Sequence, residues 1–482
     1  MHPRIYFIFL TLVFFQPRGF SQAQAGKYEI QLEIKPIQNQ YVYLASYYGS
    51  IKTMMDSAFL NKDSKGKFTA SNPLPQGVYI LASPHRTILG ELIIGADQEF
   101  SIRADTAKPE SGLAFSGSTD NDLFSKYTVF VNGHAIKAEQ LRRQMAGAGE
   151  TEQATLNSEI RSLNQEILDY RKGIEAEHPE SLLALLFRTM HDIRYPASLQ
   201  NPKTREDTMA MYRFGKDHYW DGVDFMDGRL VRTPVFDARM KDYLQNWVSP
   251  EPDSILHEFN WMMGYGRNDP EMERYLISYF VDNYINPRIM GQDKVFLHVY
   301  NNFIAAEPTR APWLNENQLK IIRERAYRIM GNQLGAPAWD MDFPDPNNVK
   351  KRLYNTKGEY TVVVFWDIDC GHCKEVLPKL DSLYKQDWKK ENIAVYAVMT
   401  NESNLKDWVP YIKEVGNDWT HVHEPDEIRH ANERAGKPNF RQLYDIRSTP
   451  TLFLLDKEKR ILAKDIAFND LAMFLKRKLD EK

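Results

Sequence analysis

The chain has 482 residues, of which 43% are hydrophobic and 26% charged, and its 61 basic and 65 acidic side chains give a formal net charge of -4. This composition excludes an intrinsically disordered or fibrous chain, and the length predicts two or three domains, because a single core stops growing at about 250–300 residues. The balanced charge, without a long Lys/Arg block, argues against a nucleic-acid partner, which requires concentrated positive charge.

The first 25 residues have the pattern of a secretory signal peptide. A weakly basic start that includes Arg4 precedes an apolar run over residues 5–15, and Ala23 and Ala25 form a small-residue cleavage signal. The run is about 11 residues long, whereas a membrane-spanning helix needs about 20, which favours cleavage near Ala25 over a retained anchor. No cysteine there offers a lipid attachment site. We therefore expect a soluble periplasmic protein.

Residues 26–125 are predicted to form a β-rich domain. Short β-rich runs alternate with Gly, Pro, Asn and Asp, which is typical of a small antiparallel domain. The runs cover residues 28–32, 41–44, 78–81 and 100–102. Four phrases resemble the β-rich N-terminal domain that often precedes thioredoxin modules in Gram-negative envelope proteins, at residues 55–58, 66–68, 77–79 and 96–100. The resemblance implies a sandwich-like accessory domain without known chemistry.

Residues 126–332 are predicted to form a helical middle domain. One helical stripe, which ends at Pro179, consists of Leu156, Ile160, Leu163, Ile167, Tyr170 and Ile174. The stripe is too short for a coiled coil, which favours packing within the chain over dimerisation. A later helix is expected between the cap residue Asn315 and Gly331.

Several aromatic residues and histidines of the chain could in principle form binding sites. Aromatic side chains in a helical layer belong to the core more often than to a peptide-binding groove, and this choice concerns Trp220, Trp247, Trp261 and Tyr265. His421 and His423 would share one face of a strand but have no third ligand in view. We expect no metal and no cofactor.

Residues 333–482 alternate strands with helices, which predicts an α/β domain. The continuous apolar run over residues 360–366 is typical of a buried strand, and it leads into Cys370, Gly371, His372 and Cys373. Further strands are expected over residues 393–398 and 449–455, and further helices over about 403–415 and 469–479. A strand, a Cys-x-x-Cys motif and a helix in this order form the strongest signal in the sequence.

Cys370 and Cys373 are the only cysteines in the sequence. A disulfide-stapled scaffold has more cysteines, and a structural zinc site needs four ligands, so redox chemistry remains. At the first turn of a helix, the Cys370 thiolate would face unpaired N–H groups that lower its pKa, which makes Cys370 the nucleophile. Cys373, one turn later, would resolve the mixed disulfide by expelling the substrate thiol.

Neighbouring side chains modify this chemistry in opposite directions. His372 can donate charge or a hydrogen bond to the Cys370 thiolate, which would make the pair more oxidising. Asp367 and Asp369 place negative charge nearby and oppose ionisation, so the sign of the net pKa shift stays open. Trp366, directly before the loop, is expected to pack against the dithiol.

The C-terminal domain resembles the TlpA/ResA-like group of exported thiol-disulfide oxidoreductases. The matching residues are Phe365, Trp366, the Cys370–Cys373 quartet, Pro378 and residues 448–451. The resemblance implies a thioredoxin fold in which Thr449 precedes a cis-proline, Pro450, whose peptide pairs with the substrate backbone. The quartet itself resembles that of protein disulfide isomerase.

Two family positions for proton transfer are not matched. Thioredoxin has a buried Asp six residues before the first cysteine, where this chain has Val364. The ResA-like group often has a Glu three residues after the second cysteine, where this chain has Val376, with Glu375 one residue earlier. A shift of one residue turns a helical side chain by about 100 degrees, so the proton-transfer group stays open.

The resemblance favours a periplasmic reductant of protein disulfides, including those of apocytochrome c. Its partners would be envelope proteins with disulfides or thiols, and a membrane electron donor such as a DsbD/CcdA-type reductase. One alternative is a disulfide oxidase or isomerase, favoured by the Gly371-His372 pair. Another is a non-catalytic envelope binding module on a thioredoxin scaffold.

Overall fold

The computed structural model describes residues 27–108, 112–306, 311–401 and 405–481. The predicted signal peptide therefore lies outside the described residues. The described chain divides into two compact units. The first comprises the described part of Met1–Ser249 with Asn260–Leu276, and the second comprises Pro250–Phe259 with Ile277–Lys482. The predicted class, a multidomain chain with a β-rich start, a helical middle and a C-terminal α/β domain, is confirmed.

The N-terminal β region forms two four-stranded sheets. Its strands are β1 (Tyr28–Lys35), β2 (Gln40–Tyr48), β3 (Ile51–Leu60), β4 (Lys65–Ala70), β5 (Gly77–Ala82), β6 (Ile88–Ile94), β7 (Glu99–Asp105) and β8 (Ala114–Ser116). The sheet orders are β4-β1-β7-β8 and β3-β2-β5-β6. The prediction of a small antiparallel domain was wrong for one pair of strands, because β1 and β7 run parallel. Such a pair needs a long connection, which local alternation does not reveal.

Alternating side chains of these strands face one shared core. Strand β1 buries every second residue, and its buried face includes Ile30, Leu32 and Ile34. Phe68 of β4 and Tyr79 of β5 belong to the same core. This is the pattern expected of sheets that are packed on one face and solvated on the other.

Nine α-helices follow in the described residues from Thr119 to Met330. They are α1 (Thr119–Met145), α2 (Glu150–Glu177), α3 (Leu182–Thr189), α4 (Arg205–Asp217), α5 (Pro234–Asn246), α6 (Pro252–Gly266), α7 (Pro270–Tyr284), α8 (Asp293–Val299) and α9 (Glu316–Met330). None of the helices described here is both long and apolar enough to cross a membrane.

The predicted helical stripe lies on α2 and packs within the chain. Leu156 and Leu163 form a core cluster with Ala138 and Leu141 of α1, which explains the stripe without dimerisation. The predicted cap is also present at α9, where Asn315 and Gln318 form a reciprocal capping box.

The aromatic residues of the middle region divide between core and surface. Trp220 is buried and contacts Phe225 and Tyr243, with ring centroids 5.1 and 5.0 Å away. Trp261 and Tyr265 are exposed. Trp220 is therefore a core residue, as its place in a helical layer indicated.

The C-terminal α/β domain is built on a five-stranded sheet. The strands of the whole domain are β9 (Asp342–Pro344), β10 (Lys350–Arg352), β11 (Tyr360–Trp366), β12 (Ile393–Met399), β13 (Thr420–His423), β14 (Thr451–Leu455) and β15 (Ile461–Lys464). Its helices are α10 (Gly371–Leu383), α11 (Leu405–Glu414), α12 (Asp426–Arg434), α13 (Phe440–Leu443) and α14 (Phe468–Asp480). The sheet order is β13-β12-β11-β14-β15, with β9 and β10 paired separately.

Strand β11 lies at the centre of this sheet and is buried on both faces. It runs parallel to β12 and antiparallel to β14. Val362, Val364 and Trp366 face one core cluster, and Val363 and Phe365 face another. Helices that cover both faces explain why this strand is a continuous apolar run. Its carboxyl end is thereby fixed at the edge where the two cysteines follow.

Helices that precede residue 333 belong to the same compact unit as this sheet. Arg325 of α9 forms an ion pair with Asp445, and both side chains are almost entirely buried. Lys464 of β15 donates to Asp293 of α8 at 2.5 Å. The domain therefore receives stabilising contacts from the end of the helical region.

Segments outside the sheet cover the side of strand β15 that does not pair with β14. The Gly335 N–H donates to the Ile461 carbonyl at 2.8 Å, and the Ile461 N–H donates to the Ala336 carbonyl at 2.9 Å. The Lys464 N–H lies 3.1 Å from the Met290 sulfur. Edge strand β15 thus has partners on both sides.

Candidate active site at the start of helix α10

The two cysteines lie where buried strand β11 meets helix α10. Strand β11 ends at Trp366, and Cys370 is the N-cap residue of α10. The backbone N–H of Cys373 donates to the Cys370 sulfur at 3.1 Å. Because a helix N-terminus carries unpaired N–H groups and partial positive charge, this position stabilises a thiolate.

The Cys370 sulfur also contacts the turn before β14. As a thiol it donates to the Thr449 carbonyl oxygen at 3.1 Å, and the Thr449–Pro450 peptide bond is cis. Cys370, Thr449 and Pro450 are each partly exposed. Another protein chain can therefore approach the sulfur and this turn together.

The surroundings of Cys370 favour its thiolate. Partial burial raises the pKa, but hydrogen bonds from Cys373 and from the Thr449 side chain together lower it more, so the pKa lies below that of an ordinary cysteine. The negative charge of Asp367 opposes this decrease without reversing it. The sequence left the direction of the pKa shift of Cys370 open, and the structure gives a decrease.

Cys373 has the opposite environment. Its side chain is only 1% exposed and belongs to the core cluster that includes Trp366 and Leu377. Burial raises the pKa of its thiol, and the hydrogen bond with Cys370 raises it further. The dithiol therefore combines an accessible, acidic sulfur with a buried sulfur that keeps its proton.

Trp366 packs in the core next to the dithiol. It is 1% exposed and lies in the core cluster that contains Cys373, with Cys370 packed against the same cluster. The ring of Tyr411, from α11, lies 5.5 Å from the Trp366 ring. Burial raises the pKa of Tyr411, and the charge of Cys373 raises it further.

His372 and Glu375 lie on the outer surface of α10. Their side chains are 81% and 68% exposed, and His372 Nδ1 is 3.4 Å from Glu375 Oε2. The structure thus pairs His372 with Glu375, one turn along the helix, rather than with the Cys370 sulfur. Gly371 is exposed, and a Cβ there would meet open space.

The two family positions for proton transfer hold no acidic group here. Val364 is fully buried in the core, and Val376 is partly buried on α10. Glu375 points to the surface, as the rotation of one helical residue predicts.

Three residues near the edge of the sheet where the two cysteines lie were not identified from the sequence: Tyr411, Glu424 and Arg441. Glu424 directly follows β13 and is 6% exposed, and burial raises its pKa to about 7. Arg441 of α13 donates to the carbonyl oxygen of Thr400. Only the position of Glu424 after a strand could have suggested it, because the other two residues reach the site through tertiary contacts.

The residues described here contain no group of three or more His, Cys, Asp and Glu side chains placed to hold a metal ion. His421 is buried, with its Nε2 2.7 Å from the Gly416 carbonyl oxygen. Burial lowers the pKa of His421 to about 4. The ring of His423 packs edge-on against Trp408.

Comparison with protein families matches each part of the chain separately. The family model described as thioredoxin-like matches residues 358–461. Models described as domains of unknown function match residues 28–124 (DUF4369) and 173–332 (DUF5106). A curated relative, a thioredoxin-like protein of Haemophilus influenzae, is 28% identical over 99 residues, or 20% of this chain. The chain spans 50% of the length of that relative.

Solved structures also resemble the chain. A thioredoxin-like protein from Bacteroides caccae is 19% identical, with a TM-score of 0.44, over 59% of this chain and 98% of that chain. A thiol:disulfide interchange protein from Bacteroides sp. is 26% identical, with a TM-score of 0.26, over 31% and 91%. The thioredoxin domain of a thiol-disulfide oxidoreductase from Bacteroides vulgatus is 26% identical, with a TM-score of 0.25, over 29% and 96%.

Proposed function

We propose that this chain, whose C-terminal domain is thioredoxin-like as the sequence predicted, is a thiol-disulfide oxidoreductase that reduces disulfides of other proteins. The observation that carries the disulfide-exchange activity is the asymmetry of the dithiol, and the reducing direction is supported by the resemblance to the TlpA/ResA-like group. Cys370 is accessible, accepts the Cys373 N–H at 3.1 Å and has a lowered pKa, whereas Cys373 is 1% exposed and has a raised pKa. The Cys370 sulfur is suited to attack a disulfide, and the Cys373 sulfur is suited to stay protonated until the mixed disulfide has formed.

The exchange proceeds in two steps. The Cys370 thiolate attacks a substrate disulfide, whose S–S bond breaks as a mixed disulfide forms and one substrate sulfur leaves as a thiolate. Cys373 then gives up its proton and attacks the Cys370 sulfur, which forms the Cys370–Cys373 disulfide and releases the second substrate sulfur. The two substrate thiolates take up protons. Two electrons have passed to the substrate, and a dithiol donor must reduce the new disulfide.

The turn at Pro450 supports substrate docking beside the sulfur. The Thr449 carbonyl already accepts a hydrogen bond from the Cys370 thiol, so it lies within reach of a chain that is bonded to Cys370. We propose that Thr449 and Pro450 pair with the substrate backbone, while Trp366 supports the dithiol from the core. His372 and Glu375 contribute to the outer surface that a substrate meets.

The proposed location and partners are supported by the sequence alone. The N-terminal pattern favours export to the periplasm, where oxidised envelope proteins, including apocytochrome c, are candidate substrates. The dithiol donor would be a membrane reductase of the DsbD/CcdA type. Fusion of residues 1–25 to a reporter enzyme that is active only after export tests the location, and an inactive reporter would contradict it.

The reaction is tested by trapping. The Cys373→Ala variant keeps the attacking sulfur but cannot resolve, so mixed disulfides with envelope proteins should accumulate on Cys370. They should disappear on treatment with a thiol reductant. The matched control is the Cys370→Ser/Cys373→Ala variant, which should trap nothing. Absence of trapped proteins with the first variant would overturn the proposal.

The direction of electron flow has a second candidate, favoured by one observation. A lowered pKa of Cys370 stabilises the reduced dithiol and therefore makes the pair more oxidising, which favours an oxidase or isomerase. Equilibration of the full chain with glutathione mixtures measures the reduction potential. A value near about -270 mV supports the reductant, and a value between about -180 and -120 mV supports the alternative.

A further inference from the structure

Three neighbouring strands place polar residues in one row above the parallel part of the sheet. Trp366 pairs with Met399, and Met399 pairs with His423, at the carboxyl ends of β11, β12 and β13. The next residues of the three strands are Asp367, Thr400 and Glu424. The carboxyl edge of parallel strands is where ligand and catalytic groups gather in open α/β sheets. Asp367 also begins the loop that carries Cys370.

Arg441 is fixed above this row by contacts that do not involve the cysteines. Its guanidinium Nη2 donates to the Thr400 carbonyl. Thr400 is itself bound to the Trp366 carbonyl, through its N–H at 2.9 Å and its hydroxyl at 3.1 Å. Helix α13 is held in place because Phe440 stacks on Phe365, with ring centroids 5.7 Å apart at an angle of 9°.

The charge of Arg441 therefore acts on two acidic residues at the edge. Asp367 contributes the strongest favourable charge interaction of the guanidinium, and Glu424 contributes a further one. Arg429 adds a repulsive interaction, but it is engaged with Asp426 on its own helix. Burial lowers the pKa of Arg441, and the guanidinium group of an arginine stays protonated in proteins.

Asp367 is the link between this arginine and the dithiol. Its carboxylate charge acts on the Cys370 sulfur and disfavours the thiolate. Its side chain also accepts the Asp369 N–H at 2.9 Å, which fixes the carboxylate within the active loop. A cation beside Asp367 reduces the negative field at the sulfur.

We propose that Arg441 is a positioning residue of the dithiol reaction, which offsets the charge of Asp367 and so preserves the thiolate of Cys370. The inference deepens the proposed function, on which its biological meaning rests. Other charged groups near Cys370 are arranged differently. His372 and Glu375 pair with each other on the exposed face of α10, and Lys374 is exposed beside them.

The test is the pH dependence of Cys370 alkylation by iodoacetamide in the reduced full-length chain, read by mass spectrometry. Arg441→Gln should raise the midpoint pH by about half to one unit, which slows alkylation below the midpoint by about three- to tenfold. Asp367→Asn should lower the midpoint by a similar amount. The Arg441→Gln/Asp367→Asn double variant should return close to the wild-type midpoint.

The effect of salt separates an electrostatic role from a structural one. The shift caused by Arg441→Gln should shrink at high ionic strength if the charge acts on the sulfur, and should persist if Arg441 only held the Thr400 carbonyl. Arg441→Lys should keep most of the wild-type profile, because it retains the charge. Arg429→Gln is the matched control and should leave the midpoint unchanged, since Arg429 is paired with Asp426.

Three outcomes would overturn the proposal: an unchanged midpoint in Arg441→Gln, an unchanged midpoint in Asp367→Asn, or a double variant that behaves like Arg441→Gln alone. Asp367→Asn keeps the arginine and its contact with Thr400, so it tests the charge even if Arg441→Gln folds poorly. Alkylation needs no protein substrate. A failure of the trapping experiment would therefore count against the proposed function, and a failure here against the role of Arg441.

Discussion

The N-terminal sheets and the C-terminal sheet use polar side chains in different ways. In the N-terminal region, acidic residues are paired across the strands with tyrosines: Tyr28 donates to Asp56 at 2.6 Å, and Tyr47 donates to Glu91 at 2.5 Å. At the edge of the C-terminal sheet, Asp367 and Glu424 instead share one half-buried arginine. The first arrangement pairs a buried tyrosine with a partly buried carboxylate, whereas the second creates a field around a reactive sulfur.

Strand burial explains this difference. Strand β1 is buried on one face only, so polar residues of the strand itself reach water. Strand β11 is buried along its whole length, so polar groups can appear only after the strand ends. Chemistry in the second sheet is therefore concentrated at the strand ends, where helix α10 also begins.

Core substitutions give the largest expected effects and test whether the two regions are independent. Phe68→Ala and Trp366→Ala each remove a fully buried aromatic side chain, one in each region. Each should lower the free energy of unfolding of its own region by about 3–5 kcal/mol. Hydrogen exchange of peptides from each region, followed by mass spectrometry, measures the loss locally.

The thiol reaction distinguishes these two variants. Only Trp366→Ala should change the rate of Cys370 alkylation, because Trp366 lies in the core cluster that holds Cys373. A changed alkylation rate in folded Phe68→Ala protein would break the comparison, since it would couple the N-terminal sheets to the dithiol.

The buried ion pair between Arg325 and Asp445 gives the next largest effect. Arg325→Met leaves the Asp445 carboxylate buried without its partner on α9, and should cost about 3 kcal/mol in the free energy of unfolding. Adding Asp445→Asn should restore part of this loss. The control is Arg143→Met, which removes an exposed pair with Glu139 and should cost less than about 1 kcal/mol. Denaturant titration measures both, and equal losses would contradict the argument from burial.

Stability of the C-terminal domain should depend on pH through two buried groups with opposite signs. Burial raises the pKa of Glu424 from 4.5 to about 7, so the folded state holds a proton that the unfolded state loses, and stability falls as pH rises through this range. Burial lowers the pKa of His421 from 6.5 to about 4, so its contribution to stability is lost as pH falls through that range.

The pH dependence of the free energy of unfolding that is due to one of these groups should be visible when the other group is substituted. Glu424→Gln should stabilise the domain at about pH 8 by about 1–3 kcal/mol and leave the rising slope of His421. His421→Gln should leave the falling slope of Glu424. Denaturant titration across this pH range measures the slopes, and a flat profile in both variants would contradict the assignment.

The smallest effect is expected at the surface of the active site. His372→Ala removes a pair whose members are 81% and 68% exposed, so it should change stability by less than about 1 kcal/mol. The rate of Cys370 alkylation near neutral pH should change by less than about threefold, because solvent screens the charge. A change of more than tenfold would mean that His372 acts on the sulfur and would remove the contrast with Arg441.

Much of the C-terminal domain could be predicted from local patterns. The apolar run at residues 360–366 is strand β11, and the helix expected at residues 469–479 is α14, Phe468–Asp480. The strand expected from residue 449 begins at Thr451, after Pro450, which lacks the N–H that a ladder needs. Fully buried strands and amphipathic helices leave strong periodic signals, which explains this agreement.

The remaining features depend on contacts between distant segments. The parallel pairing of β1 with β7 joins the two ends of the β region, and no periodicity encodes it. Arg441 lies on a four-residue helix, and its relation to Asp367 arises only when α13 packs against the sheet edge. The sequence also suggested that His372 serves the thiolate, but on the helix it meets Glu375 one turn later.

The covered edge of β15 has a consequence for how the C-terminal domain can be handled in isolation. Gly335 and Ala336 occupy backbone groups of Ile461, and Met290 covers the N–H of Lys464. A fragment that begins after residue 338 would expose a row of unpaired donors and acceptors, which is a template for edge-to-edge aggregation. A fragment that begins before α8 would keep the edge closed and should stay monodisperse at concentrations where the shorter one precipitates.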